Sequence, residues 1–423
     1  MDLLPAGNLC DRRNRFAALQ AAPRVLYAVT ALLLLLGALL ARPTAAAVKN
    51  ESPGWRILFA KLDAQNRFVR LDGIRLIAIK QAKVPVIVYR AQSGGIKRIP
   101  FTRVIALARG DDIRRHSHRR RVYLKDGSWL IGESILSNGN NFRIKTDFGT
   151  VVVPVIDATG LGMSRHGIIR RKAVAHDRLI FIGGGLLKGT FLACNIDGIK
   201  MHSALGIQVT PWSRVKELAL GGLPTGTGGK LTAKIELLDG SVLHAAALKL
   251  ASRQFTIDTQ SGLTLHIPES TVGKINTLGG DVTWLAAIPP EKYQQKPLFG
   301  KPWPIEFNRN AVEGTLRASG VIYRHGVGLH APCTVTYRLG GRYRYLVFAA
   351  QMDDSAGKIG RGEVSVKVDG RNIYSSGVLV VGHPPVFVKL PVEHAESLTI
   401  TTQAAGFLAT RCRIDLLDAA LVR

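Results

Sequence analysis

Short segments in which apolar and polar residues alternate recur along most of the chain. Alternation with a period of two is the pattern of β-strands that are buried on one face. It is clearest in VYLKDGSWLIGE, where two such segments flank Asp126-Gly127. Asp-Gly readily adopts the left-handed conformations of a two-residue hairpin turn, so each Asp-Gly pair is predicted to join two strands. The pattern therefore predicts an all-β protein.

One arrangement of strands occurs four times. In each copy a strand runs into a glycine-containing turn, further strands follow, and an apolar strand ends in proline. The turns are placed at Asp72-Gly73, Asp126-Gly127, Gly184-Gly185 and Asp239-Gly240, and the prolines are Pro100, Pro154, Pro211 and Pro268. Successive prolines are 54, 57 and 57 residues apart, and the turn-to-proline intervals are 28, 28, 27 and 29 residues. Because proline has no N–H to donate, it fits the end or the edge of a strand.

Each copy has roughly 45 residues in four or five short strands, which resembles the small SH3-like or Sm-like β-barrels in architecture. Four such units in tandem indicate a scaffold, and no catalytic motif falls within them. The units are predicted at residues 55–110, 120–163, 176–222 and 230–280. The proline-rich residues 281–297 are predicted to be an extended linker.

The stretch GVGLHAP, Gly326 to Pro332, marks the last part of the chain. A strand and turn follow it, then the pair Asp353-Asp354, then an Asp369-Gly370 hairpin between alternating strands. From residue 298 to residue 423 this series resembles the NPCBM/NEW2 family. The resemblance implies a jelly-roll β-sandwich of the galactose-binding type that binds carbohydrate. The predicted fold class is thus all-β, with tandem SH3-like β-barrel units followed by a jelly-roll β-sandwich.

A bound sugar needs polar side chains for its hydroxyl groups and an aromatic ring for its apolar face. Within the module the polar candidates are His325, His330, Asp353, Asp354, Arg361 and Asp415, and the aromatic candidates are Tyr323 and Trp303. Each also has a structural interpretation, since His330 can brace the turn before Pro332 and the adjacent aspartates can order their loop. The family commonly closes with a segment like Asp-His-Ala-Asp-Trp, of which only Asp415 and Asp418 are recognisable here. The fold can therefore persist where sugar binding has been lost.

The chain is strongly basic, with a formal net charge of +27 and an isoelectric point near 10.4. This balance favours an anionic polymer or a membrane surface as a partner. Two basic runs between the repeats are candidates for anion binding: Arg114, Arg115, Arg119, Arg120 and Arg121 in the first, and Arg170, Arg171 and Lys172 in the second. The alternative is that they are solvated connectors. Few aromatic residues interleave with them, so nucleic acid is not predicted as the main ligand.

Residues 1–47 have the order of a secretory signal: arginines, an apolar run over residues 25–41, and small residues at Ala45 to Ala47. An uncleaved membrane anchor is the alternative, because the apolar run reaches the lower limit for a spanning helix. Both interpretations place the rest of the chain in a secreted, periplasmic or envelope-associated location.

The four cysteines lack zinc-binding spacing, and no cofactor or metal is predicted. Cys333 and Cys412 could pair in an oxidising compartment. The sequence thus predicts an exported, non-catalytic protein that binds envelope or extracellular glycans. One alternative is an envelope scaffold that binds protein partners and has lost sugar binding. A glycan-active enzyme is disfavoured, because no motif positions a pair of carboxylates.

Overall fold

The computed structural model describes residues 54–109, 119–163, 175–222, 231–297, 300–406 and 411–423, all within the unit Pro53–Arg423. Strands make up 60% of the structure and no helix has seven or more residues, which confirms the all-β class. Among the described residues no helix is long and apolar enough to cross a membrane. The predicted leader, residues 1–47, lies outside the described residues.

Four repeats of five strand positions form the first part of the structure. The first contains β1 (Trp55–Leu62), β2 (Phe68–Lys80), β3 (Val86–Arg90), β4 (Ile96–Pro100) and β5 (Val104–Arg109). In the second, β7 and β8 share the second position: β6 (Arg120–Leu124), β7 (Trp129–Gly132), β8 (Ser134–Ser137), β9 (Asn141–Thr146), β10 (Gly149–Pro154) and β11 (Ala158–Met163). The third contains β12 (Asp177–Phe181), β13 (Leu186–Cys194), β14 (Gly198–Ser203), β15 (Gly206–Pro211) and β16 (Val215–Ala219). The fourth contains β17 (Ala233–Leu237), β18 (Val242–Ala251), β19 (Gln254–Thr259), β20 (Thr264–Pro268) and β21 (Val272–Thr277).

The four prolines occupy equivalent places, as their spacing predicts. Each proline ends a strand that pairs, within the described residues, only with the preceding strand. The proline is therefore not required to donate a backbone N–H to a second neighbouring strand. A single-turn 3-10 helix follows each proline: Phe101–Arg103, Val155–Asp157, Trp212–Arg214 and Glu269–Thr271. Because proline fixes φ near the value that starts this turn, the chain reverses at the same point in every repeat. The assignment of the repeats to the SH3-like class stays a prediction.

The turns between the first two strands differ from the predicted two-residue type. In three repeats the loop has three residues, and a glycine with positive φ closes it: Gly127 (84°), Gly184 (87°) and Gly240 (89°). This is a type I turn with a bulge, for which glycine is favoured at the left-handed position. In the first repeat Asn66, with φ of 59°, takes that position.

The predicted turn at Asp72-Gly73 is wrong. Both residues lie within the long strand β2, where the register against β1 shifts between the pairs Trp55–Ile74 and Ile57–Leu71. Gly73 has φ of 66° and so belongs to a β-bulge. The interval of 28 residues to Pro100 matches the other repeats by coincidence.

The repeats are joined in nested pairs by their last strands. β5 of the first repeat pairs with β21 of the fourth at Leu107–Ile275, and β11 of the second pairs with β16 of the third at Leu161–Leu218. All four residues are the seventh after their proline, since 107 − 100, 161 − 154, 218 − 211 and 275 − 268 all equal 7. Each residue is at most 1% exposed and also faces the first strand of its own repeat. Equivalent residues thus form the centre of each pair.

A second contact joins the second and fourth repeats through two serine hydroxyls. Ile131 donates its backbone N–H to Ser241 Oγ (2.8 Å), and His244 donates its backbone N–H to Ser128 Oγ (2.9 Å). The contacts are reciprocal, because 131 − 128 and 244 − 241 both equal 3. Both serines are fully buried. Asp126 and Asp239 accept the backbone N–H of these serines at 2.7 Å, so they order the turns as predicted.

The chain ends in a β-sandwich of two six-stranded sheets. The first sheet has the order β24 (Glu306–Phe307), β27 (Gly326–His330), β35 (Arg413–Val422), β29 (Tyr345–Met352) and β33 (Phe387–Pro391), with β22 (Val282–Trp284) also on β35. The second has the order β23 (Lys292–Gln295), β28 (Cys333–Arg338), β34 (Ser397–Ala404), β30 (Arg361–Val368) and β31 (Arg371–Ser375), with β32 (Leu379–Val380) on β30. A small hairpin contains β25 (Arg317–Ala318) and β26 (Val321–Ile322). Residues 281–297 are therefore not a linker, because they supply β22 and β23.

The alternation predicted for the sandwich strands produces its core. Val335, Val366 and Ile400 of one sheet and Leu329 and Phe348 of the other are all fully buried in one cluster. The cysteines Cys194, Cys333 and Cys412 are free and buried, so the conditional pairing of Cys333 with Cys412 is not formed. Burial raises the pKa of both thiols, to about 11 for Cys333 and about 12 for Cys412, which keeps them protonated at neutral pH.

Replacing Ser241 with alanine tests the reciprocal hydroxyl contact. The change Ser241→Ala leaves the buried N–H of Ile131 without an acceptor and removes the hydroxyl's bond to Asp239, at a cost of about 2 kcal/mol in the free energy of unfolding. The exposed Ser93→Ala is the control, with an expected change within about 0.5 kcal/mol. Equal unfolding curves for the two variants in denaturant would contradict the proposed role.

Candidate functional site

The predicted sugar ligand Asp353 is instead a buried brace. It follows β29 directly, is fully buried, and accepts hydrogen bonds from Asn310 Nδ2 (3.0 Å), Arg317 N (3.1 Å) and Ser355 N (2.9 Å). The neighbouring Asp354 accepts the backbone N–H groups of Ser319 and Gly320, both at 2.9 Å. The two carboxylates therefore fix the loop between β24 and β26, and Asp353 has no surface with which to contact a sugar.

Asp415 lies beside Asp353 and is also fully buried. Its position in β35 faces Gly328 on one side and Gln351 on the other. Its oxygens accept no hydrogen bond from any donor in the described ranges. Burial first, and then the adjacent Asp353 carboxylate, raise the pKa of Asp415 well above its usual range. The protonated form of Asp415 is therefore favoured, and Asp415 is not placed to contact a sugar directly.

The two predicted histidines are each covered by a tryptophan. His330 is 5% exposed and stacks on Trp303 with ring centres 4.6 Å apart, while its Nδ1 lies 3.0 Å from the carbonyl oxygen of Ala331. His325 stacks on Trp284 at 4.1 Å. Burial, followed by the charges of Lys274, Arg324 and Lys234, lowers the pKa of His325 to about 3. Both histidines thus have packing roles, and Trp303 has one face occupied by His330.

Arg361 and the basic runs lie apart from the predicted histidines and aspartates of the sandwich. Arg361 is exposed at the start of β30, on the opposite sheet from His330 and Asp415. Arg119 forms an ion pair with Asp147 at 2.5 Å. Arg120 lies over the ring of Trp212 at 3.9 Å, and Arg121 is part of β6. Arg119 therefore forms its ion pair within the second repeat, and Arg120 packs the second repeat against the third. Arg114, Arg115, Arg170, Arg171 and Lys172 lie outside the described residues.

Tyr323, one of the two aromatic residues predicted to bind sugar, lines a cavity. The cavity has a volume of about 490 Å³ and lies between the first repeat and the sandwich, and we call it the junction cavity. The repeat supplies one wall and the sandwich the other: Leu58, Asp63, Arg67, Phe68, Val69 and Arg70 from the repeat, and Tyr323, Val347, Phe387 and Asp418 from the sandwich. Aromatic rings and charged groups therefore converge there, which is the usual make-up of a small-molecule site.

Asp418 was not among the predicted ligands, although it is one of the recognisable acidic residues of the closing segment. It sits at a bulge in β35 with φ of 44°, and its N–H donates to the carbonyl oxygen of His325 (2.8 Å). Burial raises the pKa of its carboxyl to about 6. Arg67 and Phe387 carried no sequence signal, because only the tertiary fold brings them beside Asp418.

The sequence profile of the NPCBM/NEW2 domain matches residues 281–422, so the predicted family of the C-terminal module is confirmed. The matched region begins at residue 281, one residue before β22, and not at residue 298. No curated protein matches the sequence.

Solved structures similar to this chain include three that contain carbohydrate-binding modules of family 51. One is the module of a Clostridium perfringens family 95 enzyme with methyl-galactose, with 19% identity, a TM-score of 0.30, and coverage of 33% of this chain and 99% of that chain. Another, from C. perfringens ZmpB with GlcNAc, has 14% identity, a TM-score of 0.31, and coverage of 44% and 42%. The third, a tandem from a Streptococcus pneumoniae family 98 glycoside hydrolase, has 11% identity, a TM-score of 0.31, and coverage of 86% and 87%.

The raised pKa of Asp415 gives a pH-dependent prediction. Because folding raises the pKa of Asp415, its ionisation destabilises the folded state as the pH rises above about 4, the ordinary pKa of an unfolded aspartate. Asp415→Asn keeps a donor for Asp353, so we expect it to be at least as stable as the wild type at pH 7 and to flatten this dependence. Denaturant unfolding between pH 4 and pH 7 measures the effect.

The comparison variant is Asp353→Ala, which leaves the N–H groups of Arg317 and Ser355 without their acceptor. We expect a loss of about 3 kcal/mol in the free energy of unfolding. If Asp415→Asn is the more damaging of the two variants at pH 7, the folded state does not favour the protonated form of Asp415 and the prediction is wrong.

Proposed function

We propose that the protein is an exported, non-catalytic carbohydrate-binding protein that attaches to a glycan of the cell envelope or of the extracellular surroundings. The match of residues 281–422 to the NPCBM/NEW2 domain is the observation that carries the proposal. The apolar run and small residues of the leader support export. The modules in the similar solved structures bind methyl-galactose and GlcNAc, and we propose a sugar ligand here as well.

The four repeats are proposed to be a rigid base for the sandwich. Their last strands pair directly, and β18 of the fourth repeat also pairs with β2 and β7. Continuous strand pairing of this kind leaves little freedom between units, which suits a support more than a flexible tether.

A second candidate function is a scaffold that binds protein partners. The third repeat favours it, because three of its large apolar side chains are strongly exposed: Ile196 (80%), Leu205 (77%) and Ile207 (61%). Exposed apolar groups that cluster on one unit are typical of interaction surfaces. The burial of Asp353, His330 and Asp415 is consistent with this alternative, since none of them can contact a sugar.

A glycan array incubated with the full chain tests the proposed function. We expect retention on a defined set of glycans, with competition by the matching soluble sugar. Heat-denatured protein is the control for non-specific adhesion of a basic chain. If no glycan is retained above the denatured control, sugar binding is absent and the scaffold function is favoured.

The basic runs give a separate prediction. Changing Arg114, Arg115, Arg170, Arg171 and Lys172 to serine is expected to lower the salt concentration at which the protein leaves a heparin column, because surface charge drives binding to polyanions. Sugar retention on neutral glycans should not change. Elution of the variant together with the wild type would show that these residues are solvated connectors only.

A further inference from the structure

We infer that the junction cavity is the glycan site, that it takes a neutral sugar residue, and that the first repeat supplies part of the binding surface. Asp418 is the hydrogen-bond acceptor for the sugar hydroxyl groups and Arg67 is the donor. This inference rests on the proposed function and adds to it the place of binding, the class of sugar and the need for both parts of the chain.

The two walls of the cavity are held together by specific contacts. Asn66 Nδ2 donates to the carbonyl oxygen of Phe387 (3.3 Å), which ties the tip of the first hairpin to the start of β33. Phe68 packs edge-to-face on Trp284 at 5.7 Å, which ties β2 to β22. The side chains of Arg67 and Phe68 therefore stay opposite Tyr323 and Asp418, and neither half of the chain forms the cavity alone.

Most charged groups on the cavity wall already have partners. Asp63 accepts the N–H groups of Gln65 and Arg67, both at 2.9 Å, and pairs with Arg67 Nε at 3.1 Å. Arg67 Nη2 lies 3.4 Å from Gln65 Oε1, and Arg67 Nη1 has no partner among the described residues, so it can donate to a ligand. Arg70 Nε is 2.9 Å from both carboxylate oxygens of Asp72. The Asp418 carboxyl, by contrast, makes no hydrogen bond or ion pair with any described residue, so it remains available as an acceptor.

Asp418 destabilises the folded state in two ways. Its carboxylate is largely removed from water without a partner, and its left-handed backbone conformation is uncommon for a residue other than glycine. Asparagine would tolerate the same backbone conformation without the charge. An unfavourable carboxylate in a cavity is the arrangement expected of a group that acts on a ligand.

The chemistry of Asp418 selects the class of sugar. A carboxylate accepts hydrogen bonds and so pairs with hydroxyl donors, which every neutral pyranose offers in adjacent pairs. A carboxylated or sulfated sugar would bring a second negative charge against Asp418, and like charges in a half-buried site repel strongly. Phe68, Tyr323 and Phe387 can cover the apolar face of the ring. The cavity therefore selects a neutral sugar even though the chain as a whole is strongly basic.

Matched neutral and acidic sugars test the class of ligand. Saturation-transfer NMR with the full chain would use methyl glycosides of galactose, glucose and mannose, together with N-acetylglucosamine. The acidic counterparts of the first three are the methyl glycosides of galacturonic, glucuronic and mannuronic acid, and that of N-acetylglucosamine is N-acetylglucosaminuronic acid; each carries a carboxylate in place of the terminal hydroxymethyl group. We expect signal from at least one neutral sugar and none from its acidic counterpart. Signal only from an acidic sugar, or from no sugar at millimolar concentration, would overturn the inference.

Two variants test the place of binding. Asp418→Asn and Arg67→Ala are each expected to weaken binding of the retained sugar by about tenfold or more, since each removes a charged hydrogen-bond partner. The control Arg75→Ala removes the same charge from an exposed position on β2 and should not change binding. Unfolding of the protein cannot explain a loss of binding by Asp418→Asn. This variant should have a higher melting temperature than the wild type at pH 7, because it removes a buried charge.

The pH dependence is an independent measurement on the same site. Arg67, Asp63 and Arg70 face Asp418 from the wall of the first repeat, and Tyr323 lies on the same wall as Asp418. Sugar affinity of the wild type should fall as the pH drops below about 6, where the Asp418 carboxylate takes up a proton, and Asp418→Asn should lose this dependence. If the array retains a glycan but both variants bind it as the wild type does, the proposed function stands and this assignment of the site fails.

Discussion

The antiparallel pairing of β5 with β21 determines where every later part of the chain lies. It places the fourth repeat beside the first, although the two are separated in sequence by the whole of the second and third repeats. Thr277 Oγ1 donates to the carbonyl oxygen of Ile105 (3.1 Å), and Asp281 N donates to that of Thr102 (3.0 Å). The sandwich, which begins within a few residues of β21, is thereby positioned against the first repeat, and the junction cavity is a consequence of that placement.

A small residue is needed where the chain passes from repeat to sandwich. A Cβ atom on Gly280 would lie 2.7 Å from the carbonyl oxygen of Thr102, closer than non-bonded atoms approach each other. The crossing also uses Asp281, whose carbonyl oxygen accepts the N–H of Arg423 at the end of β35. The first and last strands of the sandwich therefore meet the repeats at one place. Asp418 lies on β35, and it shares a cavity with Tyr323, Arg67 and Phe68.

The positions of the strands along the chain can be predicted from the sequence far better than the site. Proline and glycine act locally, so Pro154 and Gly127 mark their turns without help from the rest of the fold. Asn66 also adopts the left-handed conformation and closes the first turn. The Asp-Gly at residues 72 and 73 is the stronger turn signal, so the sequence places this turn six residues too late. The burial of Asp353 depends on a loop that precedes it by more than thirty residues, which no local pattern reports. Arg67 and Asp418 are 351 residues apart, and only the nested pairing of repeats brings them together.

The nested order of the repeats also fixes the order in which the chain can fold as it leaves the ribosome or a translocation pore. The inner pair joins residues 161 and 218, a separation of 57, whereas the outer pair joins residues 107 and 275, a separation of 168. Closing the longer loop costs about 1 kcal/mol more in chain entropy. In addition, one edge of β5 stays unpaired until the three further repeats have been synthesised. An unpaired strand edge can pair with other chains and so promotes aggregation. A vectorially synthesised protein of this design passes through a stage that needs protection from aggregation, and the fold cannot gain or lose a single repeat without leaving one last strand unpaired.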